Sequence, residues 1–412
     1  MPNNDVEVAV IGGGAAGIAA ARHLHDAGIS TLLIEARPRL GGRAWTVFTP
    51  SGDPIDLGCG WLHSADRNPW VAIAERQGRT IDKTRPPWGR RSREDAFPIA
   101  QQEEFHAAQH AFYERMEAAV QRGGDAPAST LLEPGNKWNA LINAIATYIS
   151  GAELDRVSLV DLDRYADTEI NWRVADGYGV TIASYGADLP MTLETPVTRI
   201  DHSALRLKIE TTKGVIKADR AIITLPSNLI AQNEDLFFPK LSEKTEAARG
   251  LPLGLNDKLF LSLEFAEEFD KDSRIFGAID RTATSTYHMR PFGRAMIECY
   301  FGGTLAHDLE AGGEKAFFEF ASSQLAGILG SAFARRIKPI HIHRWGLDPF
   351  SRGAYSFAEP GKADYRAVLA RPVDGRLFFA GEATQRETYS TAHGAYFSGV
   401  AAAEAMLLAR PR

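Results

Sequence analysis

One stretch near the start of the sequence constrains the fold more than any other, and it reads VEVAVIGGGAAGIAAARHLHDAGISTLLIEA. Its two continuous apolar runs predict buried strands, and the alanine-rich segment between them predicts a helix of about a dozen residues. Strand, glycine turn, helix and strand in this order form a βαβ unit, which joins parallel strands. The chain is therefore expected to contain a Rossmann-like α/β domain.

The glycines of this unit fit the GxGxxG pattern of dinucleotide-binding turns. Gly12 makes the turn, Gly14 lets the backbone approach a pyrophosphate, and Gly17 lets the helix pack against the strand. Glu35 ends the second predicted strand, near the spacing expected for an acid that binds ribose hydroxyls. The helix N-terminus would stabilise the phosphate charge. Together these features predict a dinucleotide site rather than a plain tight turn.

The next segment, RPRLGGRAW, bears on whether the dinucleotide is NAD or FAD. Gly41 and Gly42 predict a second turn of close backbone approach, and Arg43 can reach a pyrophosphate. This arrangement resembles the flavoprotein version of the fold, in which FAD lies extended through the domain. An ordinary surface turn with a solvated arginine is the alternative, and the preceding βαβ unit favours FAD.

The length and net charge of the chain bear on the number of domains and on the kinds of partner. A chain of 412 residues, 44% of them apolar, exceeds what one core usually organises, so two structural lobes are expected. The net charge of −6 without a Lys/Arg run argues against a nucleic-acid partner. The sequence offers no uninterrupted apolar run of roughly 18 residues for a membrane span, and its start leaves no room for a signal peptide. A soluble, cytoplasmic protein, monomeric or homodimeric and without a membrane partner, is expected.

The C-terminal part of the sequence is predicted to return to the first domain. GRLFFAGEAT predicts an apolar strand followed by a glycine and an acid, and STAHGAYFSGVAAAEAMLLA predicts a helix with small residues towards a sheet. The fold class predicted is α/β, with a discontinuous Rossmann-like FAD-binding domain and an α+β substrate domain that contains an antiparallel sheet and helices. The predicted boundaries are 1–79, 188–236 and 362–412 for the FAD-binding domain, and 80–187 and 237–361 for the substrate-binding domain.

The motifs together resemble those of the FAD-dependent amine oxidases, most closely the acetylpolyamine and spermine oxidases. The stretches that carry the resemblance are VIGGGAAGIAAARHL, IEARPRLGGRAWT, DLGCGWLHSADRNP, NDKLFLSLEF, DPFSRGAYSFAEPG and FAGEATQRETYSTAHGA. They span the chain, whereas the region between residues 80 and 165 matches poorly. The resemblance implies the two-domain amine oxidase fold. It also implies noncovalent FAD, because Ala354 stands where monoamine oxidases have a flavin-bonded cysteine.

The resemblance further implies roles for individual side chains. Lys258 would hold a water against the flavin, His63 would face the substrate cavity, and Tyr355 would flank the flavin face. Thr391 replaces the second cage aromatic of monoamine oxidases, as it does in polyamine oxidases. These four are the predicted catalytic residues. The predicted cofactor contacts are Gly12, Gly14, Ala16, Gly17, Glu35, Ala36, Arg37, Gly42, Arg43, Gly60, Trp61, Val197, Trp345, Gly381, Glu382, Thr391 and Ala392.

Cysteines and histidines predict no metal site. The sequence has two cysteines, too few for a disulfide framework or a four-ligand zinc site. Cys59, in GCGWLH, stands between two glycines where the family has a small residue, so it is interpreted as a space-filler rather than a nucleophile. His341 and His343 alternate along a predicted strand and are interpreted as packing residues rather than a metal pair.

The predicted reaction is oxidation of an amine, polyamine-like or secondary, by FAD and O2. The amine gives an imine, which water hydrolyses to an aldehyde and an amine, and O2 is reduced to H2O2. A monoamine oxidase for small or aromatic amines is one alternative. Others are a non-amine FAD oxidoreductase such as a desaturase, and an FAD-holding scaffold without turnover. L-amino-acid oxidases are disfavoured because Trp61 and His63 stand where those enzymes have an arginine region. A histone demethylase is disfavoured because the extra helical insertions are missing.

Overall fold

The computed structural model describes residues 5–94 and 96–409. The outermost residues of the predicted FAD-binding domain, 1–4 and 410–412, lie outside this part of the chain. The strands are β1 Asp5–Ile11, β2 Thr31–Ile34, β3 Thr46–Phe48, β4 Pro54–Asp56, β5 Ile81–Asp82, β6 Arg173–Val174, β7 Met191–Thr192, β8 Val197–Asp201, β9 Leu207–Thr211, β10 Gly214–Ile223, β11 Phe237–Phe238, β12 Leu253–Gly254, β13 Asn256–Leu263, β14 Ser273–Phe276, β15 Thr286–Met289, β16 Met296–Gly302, β17 Ile337–Ile342, β18 Tyr355–Ser356 and β19 Leu377–Phe379.

Helices lie between many of the strands. The α-helices are α1 Ala15–Asp26, α2 Pro69–Arg76, α3 Ile99–Gln121, α4 Asn139–Ser150, α5 Leu159–Arg164, α6 Tyr178–Tyr185, α7 Ser227–Gln232, α8 Ser242–Arg249, α9 Gly303–Gly312, α10 Glu314–Leu329, α11 Tyr365–Ala370 and α12 Ala392–Leu408. Short 3₁₀ helices span Pro87–Gly89, Ala128–Leu131, Ala266–Glu268, Pro291–Gly293, Ser331–Arg336 and Glu382–Thr384.

The larger sheet has the order β11-β8-β9-β10-β1-β2-β7. β1 pairs in parallel with β2 on one side and with β10 on the other, because a helical crossover returns the chain in the same direction. β10 pairs antiparallel with β9 along its first half and in parallel with β19 along its second half. The C-terminal strand therefore completes a sheet that the N-terminal strand begins.

Small residues let two distant helices pack closely on this sheet. The side of α1 that contains Ala16, Ala19 and Ala20 is buried, and α1 packs against α12. A Cβ atom placed on Gly399 of α12 would lie 2.1 Å from the carbonyl oxygen of Ala16. Only glycine permits this approach, so the predicted small-residue face of the C-terminal helix is the face that packs.

The smaller sheet is antiparallel and has the order β14-β15-β16-β13-β17. The sequence patterns predict β13, β16 and β17 but not β14 or β15. Helices α9 and α10 bury Leu305, Leu309, Phe317 and Leu325 in the same apolar cluster as this sheet. Helices α3 and α4 share a second cluster. The predicted α+β second domain with an antiparallel sheet and helices is confirmed.

The two sheets divide the chain much as the predicted discontinuous domain requires. The larger sheet takes its strands from residues 5–34, 191–238 and 377–379. β11 joins it just after the boundary predicted at residue 236, and the exact domain boundaries stay a prediction. Among the described residues, none of the helices combines the length and the apolar character that crossing a bilayer requires.

Candidate active site

The first glycine turn has the geometry that a pyrophosphate needs. Gly12 has a φ of +108°, which favours glycine, and a Cβ on Gly17 would lie 1.8 Å from the carbonyl oxygen of Gly12. A Cβ on Gly14 would meet only Gly42, at 4.0 Å, so the backbone stays open there. Gly14 begins α1 without a side-chain cap. The first amides of this helix are therefore available to phosphate oxygens, and the turn fits the cofactor.

Glu35 lies directly after β2 and is buried beside this turn. Its Oε2 accepts a hydrogen bond from the amide of Gly13 at 2.6 Å, and its Oε1 accepts one from the amide of Arg37 at 2.8 Å. Burial raises the pKa of this carboxyl, and the two backbone hydrogen bonds oppose the shift. A carboxylate oxygen can accept a second hydrogen bond, so the predicted binding of ribose hydroxyls is compatible with these contacts and stays a prediction.

Arg37, a predicted cofactor contact, uses its guanidinium within the protein. It donates two hydrogen bonds of 2.7 Å to Asp348 in the fork geometry of a bidentate ion pair. His343 Nε2 lies 3.0 Å from the same carboxylate. Burial alone would raise the pKa of Asp348, but the hydrogen bonds from His343 and Arg37 outweigh it and lower this pKa. A cofactor contact of Arg37 would have to come from its backbone or share the guanidinium with Asp348.

Arg43 and Glu382 connect the second glycine turn with the C-terminal segment. Arg43 Nη1 lies 2.9 Å from Glu382 Oε1 and donates a hydrogen bond of 2.7 Å to the carbonyl oxygen of Ala354. Glu382 Oε2 accepts hydrogen bonds from the Ser356 hydroxyl and the Ser390 amide. Burial would raise the pKa of Glu382, but Arg43 and Ser356 lower it below its usual value. The two predicted cofactor contacts therefore hold each other in place.

Thr391 caps the N-terminus of α12. Its Oγ1 accepts a hydrogen bond from the amide of Gly394 at 3.0 Å and donates one to the carbonyl oxygen of Thr388 at 2.7 Å. Thr391 is 6% exposed, and both contacts of its hydroxyl stabilise the start of the helix. Ala392 accepts a hydrogen bond from Trp70 Nε1 at 3.0 Å. The predicted catalytic role of Thr391 stays a prediction, and the structure shows a capping role.

The other predicted cofactor contacts lie at element ends. Ala16 is in the first turn of α1, Ala36 follows β2, and Val197 begins β8. Gly381 precedes the 3₁₀ helix Glu382–Thr384 with a φ of +132°, and a Cβ there would meet no atom within 4 Å. These positions agree with a cofactor that runs along the strand ends, and each contact stays a prediction.

The GCGWLH loop lies between the second glycine turn and Lys258. The amide of Cys59 donates to the carbonyl oxygen of Arg43 at 3.4 Å, and a Cβ on Gly58 would lie 1.7 Å from that oxygen. On the other side, Lys258 Nζ donates to the carbonyl oxygen of Asp56 at 3.1 Å. A Cβ on Gly60 would lie 3.3 Å from the same Nζ. Lys258 is thus a buried residue of an inner strand, not a solvated lysine at a strand edge.

Aromatic side chains surround the end of this loop. Trp61 and Trp88 are T-shaped with ring centroids 4.4 Å apart, and Trp88 lies 6.3 Å from the ring of His63. The guanidinium of Arg173 lies 4.8 Å from the Trp61 ring. Trp61 Nε1 is buried beside the Tyr300 hydroxyl, and within the part of the chain that the structure describes no well-formed hydrogen bond satisfies it. A buried donor of this kind is normally satisfied by a ligand or by water, so Trp61 fits a place in a binding site.

Two histidines near this loop are held neutral. His63 Nδ1 lies 2.6 Å from the amide oxygen of Asn171, so Nδ1 carries the proton and Nε2 is an acceptor. Burial lowers the pKa of His63. Burial, and to a lesser degree the proximity of His63, lower the pKa of His393 to about 4, against the opposing effect of Asp167. The site therefore presents imidazoles rather than imidazolium ions at neutral pH.

Trp345 contacts the segment that leads into this loop, whereas Tyr355 bonds to α4. Trp345 is 2% exposed and donates from Nε1 to the carbonyl oxygen of Leu57 at 3.0 Å. Tyr355 lies in β18, is partly exposed, and donates to the carbonyl oxygen of Tyr148 at 2.5 Å. Burial raises the pKa of Tyr355, so this phenol stays protonated. Trp345 is a core residue in contact with the loop, and a contact with the flavin stays a prediction for both.

Cys59 is half-buried, and its environment supports the space-filling interpretation. Burial, reinforced by the charge of Asp56, raises the pKa of this thiol to about 12. The nucleophilic thiolate is therefore scarce at neutral pH. Within the part of the chain that the structure describes, His, Cys, Asp and Glu form no group of three or more that could hold a metal ion.

Sequence patterns missed several residues that the structure brings to this site. Glu298, Arg173 and His288 lie with Lys258 in one buried charged cluster, and Asn171 holds His63. One signal was present, because Glu298 is a lone acid inside the apolar strand that reads MIECYFG. A charge inside such a strand requires a partner.

Comparison with known proteins assigns the class. The profile of the family described as flavin containing amine oxidoreductase matches residues 15–143 and 87–407, and the chain belongs to this family. It is thus a flavoprotein oxidoreductase that acts on amines and uses FAD. The predicted family, two-domain fold, cofactor and enzyme class are confirmed.

Particular relatives are similar over nearly the whole chain. Polyamine oxidase 3 of Oryza sativa subsp. japonica is 29% identical, over 96% of this chain and 88% of that protein. Polyamine oxidase 2 of Arabidopsis thaliana is 29% identical, over 98% and 88%. Lysine-specific histone demethylase 2 of Homo sapiens is 26% identical over 95% of this chain, which spans 52% of that protein.

A solved structure supports the fold. A triple mutant of putrescine oxidase, redesigned in its cofactor binding, superposes with a TM-score of 0.77 at 20% identity, over 98% of this chain and 99% of that chain. The predicted likeness to polyamine oxidases is confirmed by the rice and Arabidopsis relatives.

Proposed function

We propose that this protein oxidises a polyamine-like or secondary amine to an imine, which water hydrolyses to an aldehyde and an amine, with reduction of O2 to H2O2. The observation that carries the proposal is the position of the GCGWLH loop. Cys59 of the loop donates a hydrogen bond to the carbonyl oxygen of Arg43 after the second glycine turn, and Lys258 bonds to Asp56, two residues before the loop, and lies beside Gly60. A cofactor on the glycine turns and a substrate at His63 and Trp61 would therefore meet at this loop.

FAD, when bound, accepts a hydride from the carbon next to the amine nitrogen, so the protein has to bind, orient and desolvate the amine. An alkylamine has a pKa of about 10 in water and must lose its proton before oxidation. The neutral imidazoles of His63 and His393 and the ring of Trp61 add no charge of their own beside it, which favours the neutral amine. His63 Nε2 can accept the proton that the amine releases.

Carboxylates close to His63 could bind a second charged nitrogen of the substrate. Asp167 is exposed and accepts hydrogen bonds from the Ser64 hydroxyl at 3.1 Å and from the amide of Glu169 at 2.9 Å. Asp66 and Glu169 are also exposed in these two segments. This local negative charge supports a substrate with a distal ammonium over a simple monoamine. The names of the rice and Arabidopsis relatives support the same choice.

Anaerobic reduction of the bound flavin tests the proposal. Spermine, spermidine, their acetylated forms, simple monoamines and L-amino acids are each mixed with the holoprotein while the flavin absorbance is followed. We expect bleaching by polyamines or secondary amines, followed by H2O2 release when O2 is admitted. Bleaching by monoamines alone would favour the monoamine oxidase alternative. A flavin that stays oxidised with every amine would contradict the proposal.

The role of the acidic segment has its own test. Asp167→Asn should raise the KM of the holoprotein for spermine or spermidine several-fold and leave the KM for a simple monoamine unchanged, because only the polyamine carries a distal charge. Asp219→Asn, which changes an exposed carboxylate at β10, is a matched control. A cytoplasmic location and a monomeric or homodimeric state stay predictions.

A further inference from the structure

Strand pairing brings a buried carboxylate to Lys258. On β13, Lys258 is opposite Tyr300 of β16, and Glu298 lies two residues before Tyr300 on the same face of the sheet. Glu298 is 0% exposed, and its Oε1 lies 3.0 Å from Lys258 Nζ. His288 of β15 is directly opposite Glu298. The register of three strands therefore fixes this contact.

Glu298 is the centre of a buried network of charges. Its Oε2 lies 3.0 Å from Arg173 Nη1, which comes from β6, and 3.6 Å from His288 Nδ1. His288 Nε2 in turn lies 3.0 Å from Asp272. Burial alone would raise the pKa of Glu298, but the charges of Arg173 and Lys258 hold it well below its usual value. Glu298 is thus an anion between two cations.

The network also constrains where the Lys258 ammonium lies. Lys258 Nζ donates to the carbonyl oxygen of Asp56, the last residue of β4 before the GCGWLH loop, while Glu298 attracts it from the sheet. A lysine side chain has four rotatable bonds and holds one position only if such contacts select it. Removal of the carboxylate would leave Lys258 and Arg173 as two buried like charges with no anion between them.

We propose that Glu298 is a positioning residue that holds the Lys258 ammonium at the GCGWLH loop and neutralises it there. The inference rests on the proposed function, because Lys258 matters only if amine oxidation takes place at this loop. Glu298 acts through Lys258 and not on the substrate. Its removal should therefore affect the half-reaction that depends on Lys258 and no other.

The experiment compares Glu298→Gln, Glu298→Asp, Lys258→Met and the Glu298→Gln/Lys258→Met double variant as holoproteins. Anaerobic flavin reduction by a reactive amine and reoxidation by O2 are each timed from about pH 6 to about pH 10, because a displaced or unpaired catalytic group changes the pH profile. Glu310→Gln is the matched control. Glu310 is a buried carboxylate of α9 that accepts a hydrogen bond from Gly346, outside this network.

We expect Lys258→Met to slow one half-reaction and Glu298→Gln to slow the same one by about 10- to 100-fold, with a new pH dependence. Glu298→Asp keeps the negative charge, so its rate should fall less than that of Glu298→Gln. The double variant should be no slower than Lys258→Met, because both substitutions disrupt the same Lys258–Glu298 pair. Glu298→Gln with the native rate and pH profile, or a double variant as slow as the product of the two single effects, would overturn the proposal.

Two further readouts keep the inference separate from the proposed function. Thermal unfolding of the holoprotein should show non-additive effects of Glu298→Gln and Lys258→Met even if no amine is oxidised, and additive effects would overturn the pairing. A native protein that amines reduce, with Lys258→Met impaired and Glu298→Gln unaffected, would refute this inference alone. If Glu298→Gln does not fold, Glu298→Asp decides, and native rates in that variant would refute the proposal.

Discussion

At the residue scale, two glycines show that the effect of an added Cβ atom depends on the atoms around it. A Cβ on Gly17 would lie 1.8 Å from a backbone oxygen, whereas a Cβ on Gly327, in α10, would meet nothing within 4 Å. The first glycine allows α1 to approach the turn that precedes it. Gly327 has no such packing role, and it makes α10 less stable than an alanine at the same position would.

Gly17→Ala should therefore lower the free energy of unfolding by about 3 kcal/mol and reduce the FAD content of the purified protein, because helix and turn must separate. Gly327→Ala should raise it by about 0.5–1 kcal/mol and leave the FAD content unchanged. Urea unfolding and the flavin absorbance per protein measure both effects. Equal stabilities for the two variants would contradict this account of Gly17.

A second prediction concerns His393 and pH. Its pKa is lowered to about 4 in the folded protein by burial and by His63, from 6.5 when unperturbed. The unfolded chain then binds more protons between these values, so stability is full above about pH 6.5 and falls as the pH drops towards 4. The loss amounts to at most about 3 kcal/mol.

His393→Asn should flatten this acid limb in thermal unfolding of the apoprotein, and His307→Asn, a change at an exposed histidine of α9, should not. An unchanged acid limb in His393→Asn would show that other groups cause the loss.

Residue roles were predictable from the sequence where neighbours along the chain create them. The glycine turn, Glu35 and the small residues of α12 belong to this group. The partner of Lys258 was not predictable, because Glu298 reaches it only through the register of β13 and β16. Asp348 likewise reaches Arg37 from 311 positions away. The chemistry of such pairs depends on tertiary contacts that local patterns do not contain.

At the element scale, the short 3₁₀ helix Pro87–Gly89 carries an aromatic side chain to the site. Its residue Trp88 is 41% exposed and contacts the rings of Trp61 and His63. Such a turn has no hydrophobic periodicity, so the sequence patterns gave no signal for it. β14 and β15 escaped prediction for a related reason, since strands of four residues give little alternation.

Trp88→Ala should raise the KM of the holoprotein for a cationic amine by about 5- to 30-fold, because a face of the aromatic wall is lost and a cation loses its attraction to the ring. The FAD content should not change. Phe48→Ala removes an aromatic ring of β3 that is 63% exposed and serves as the control. Steady-state kinetics measures both, and a native KM in Trp88→Ala would place the substrate elsewhere.

At the scale of the whole molecule, one buried ion pair ties the two predicted domains together. Arg37 follows β2 of the larger sheet, and Asp348 follows β17 of the smaller one. Both side chains are buried, so each would be an uncompensated charge without the other. The pair thereby links the segment after the larger sheet's β2 to the segment after the smaller sheet's β17.

Asp348→Asn should lower the free energy of unfolding by about 3–5 kcal/mol, and Arg37→Met/Asp348→Leu should recover part of the loss because no buried charge is left unpaired. Asp280→Asn, which breaks an exposed ion pair with Arg281, should leave the stability almost unchanged. Urea unfolding measures all three. The contribution of Asp348 should disappear as the pH falls below about 4, since its folded pKa is lowered. If the Asp348→Asn variant has a free energy of unfolding equal to or above that of the double variant, this role is wrong.

The central position of β10 between β1 and β19 has a consequence for biosynthesis. β1 is made early, yet its neighbour β10 emerges some two hundred residues later and β19 more than 360 residues later. A chain leaving the ribosome at about 5–20 residues per second must keep one edge of this apolar strand unpaired for many seconds. The larger sheet thus closes only after β19 has been made, and chains truncated before β19 should aggregate instead of binding FAD.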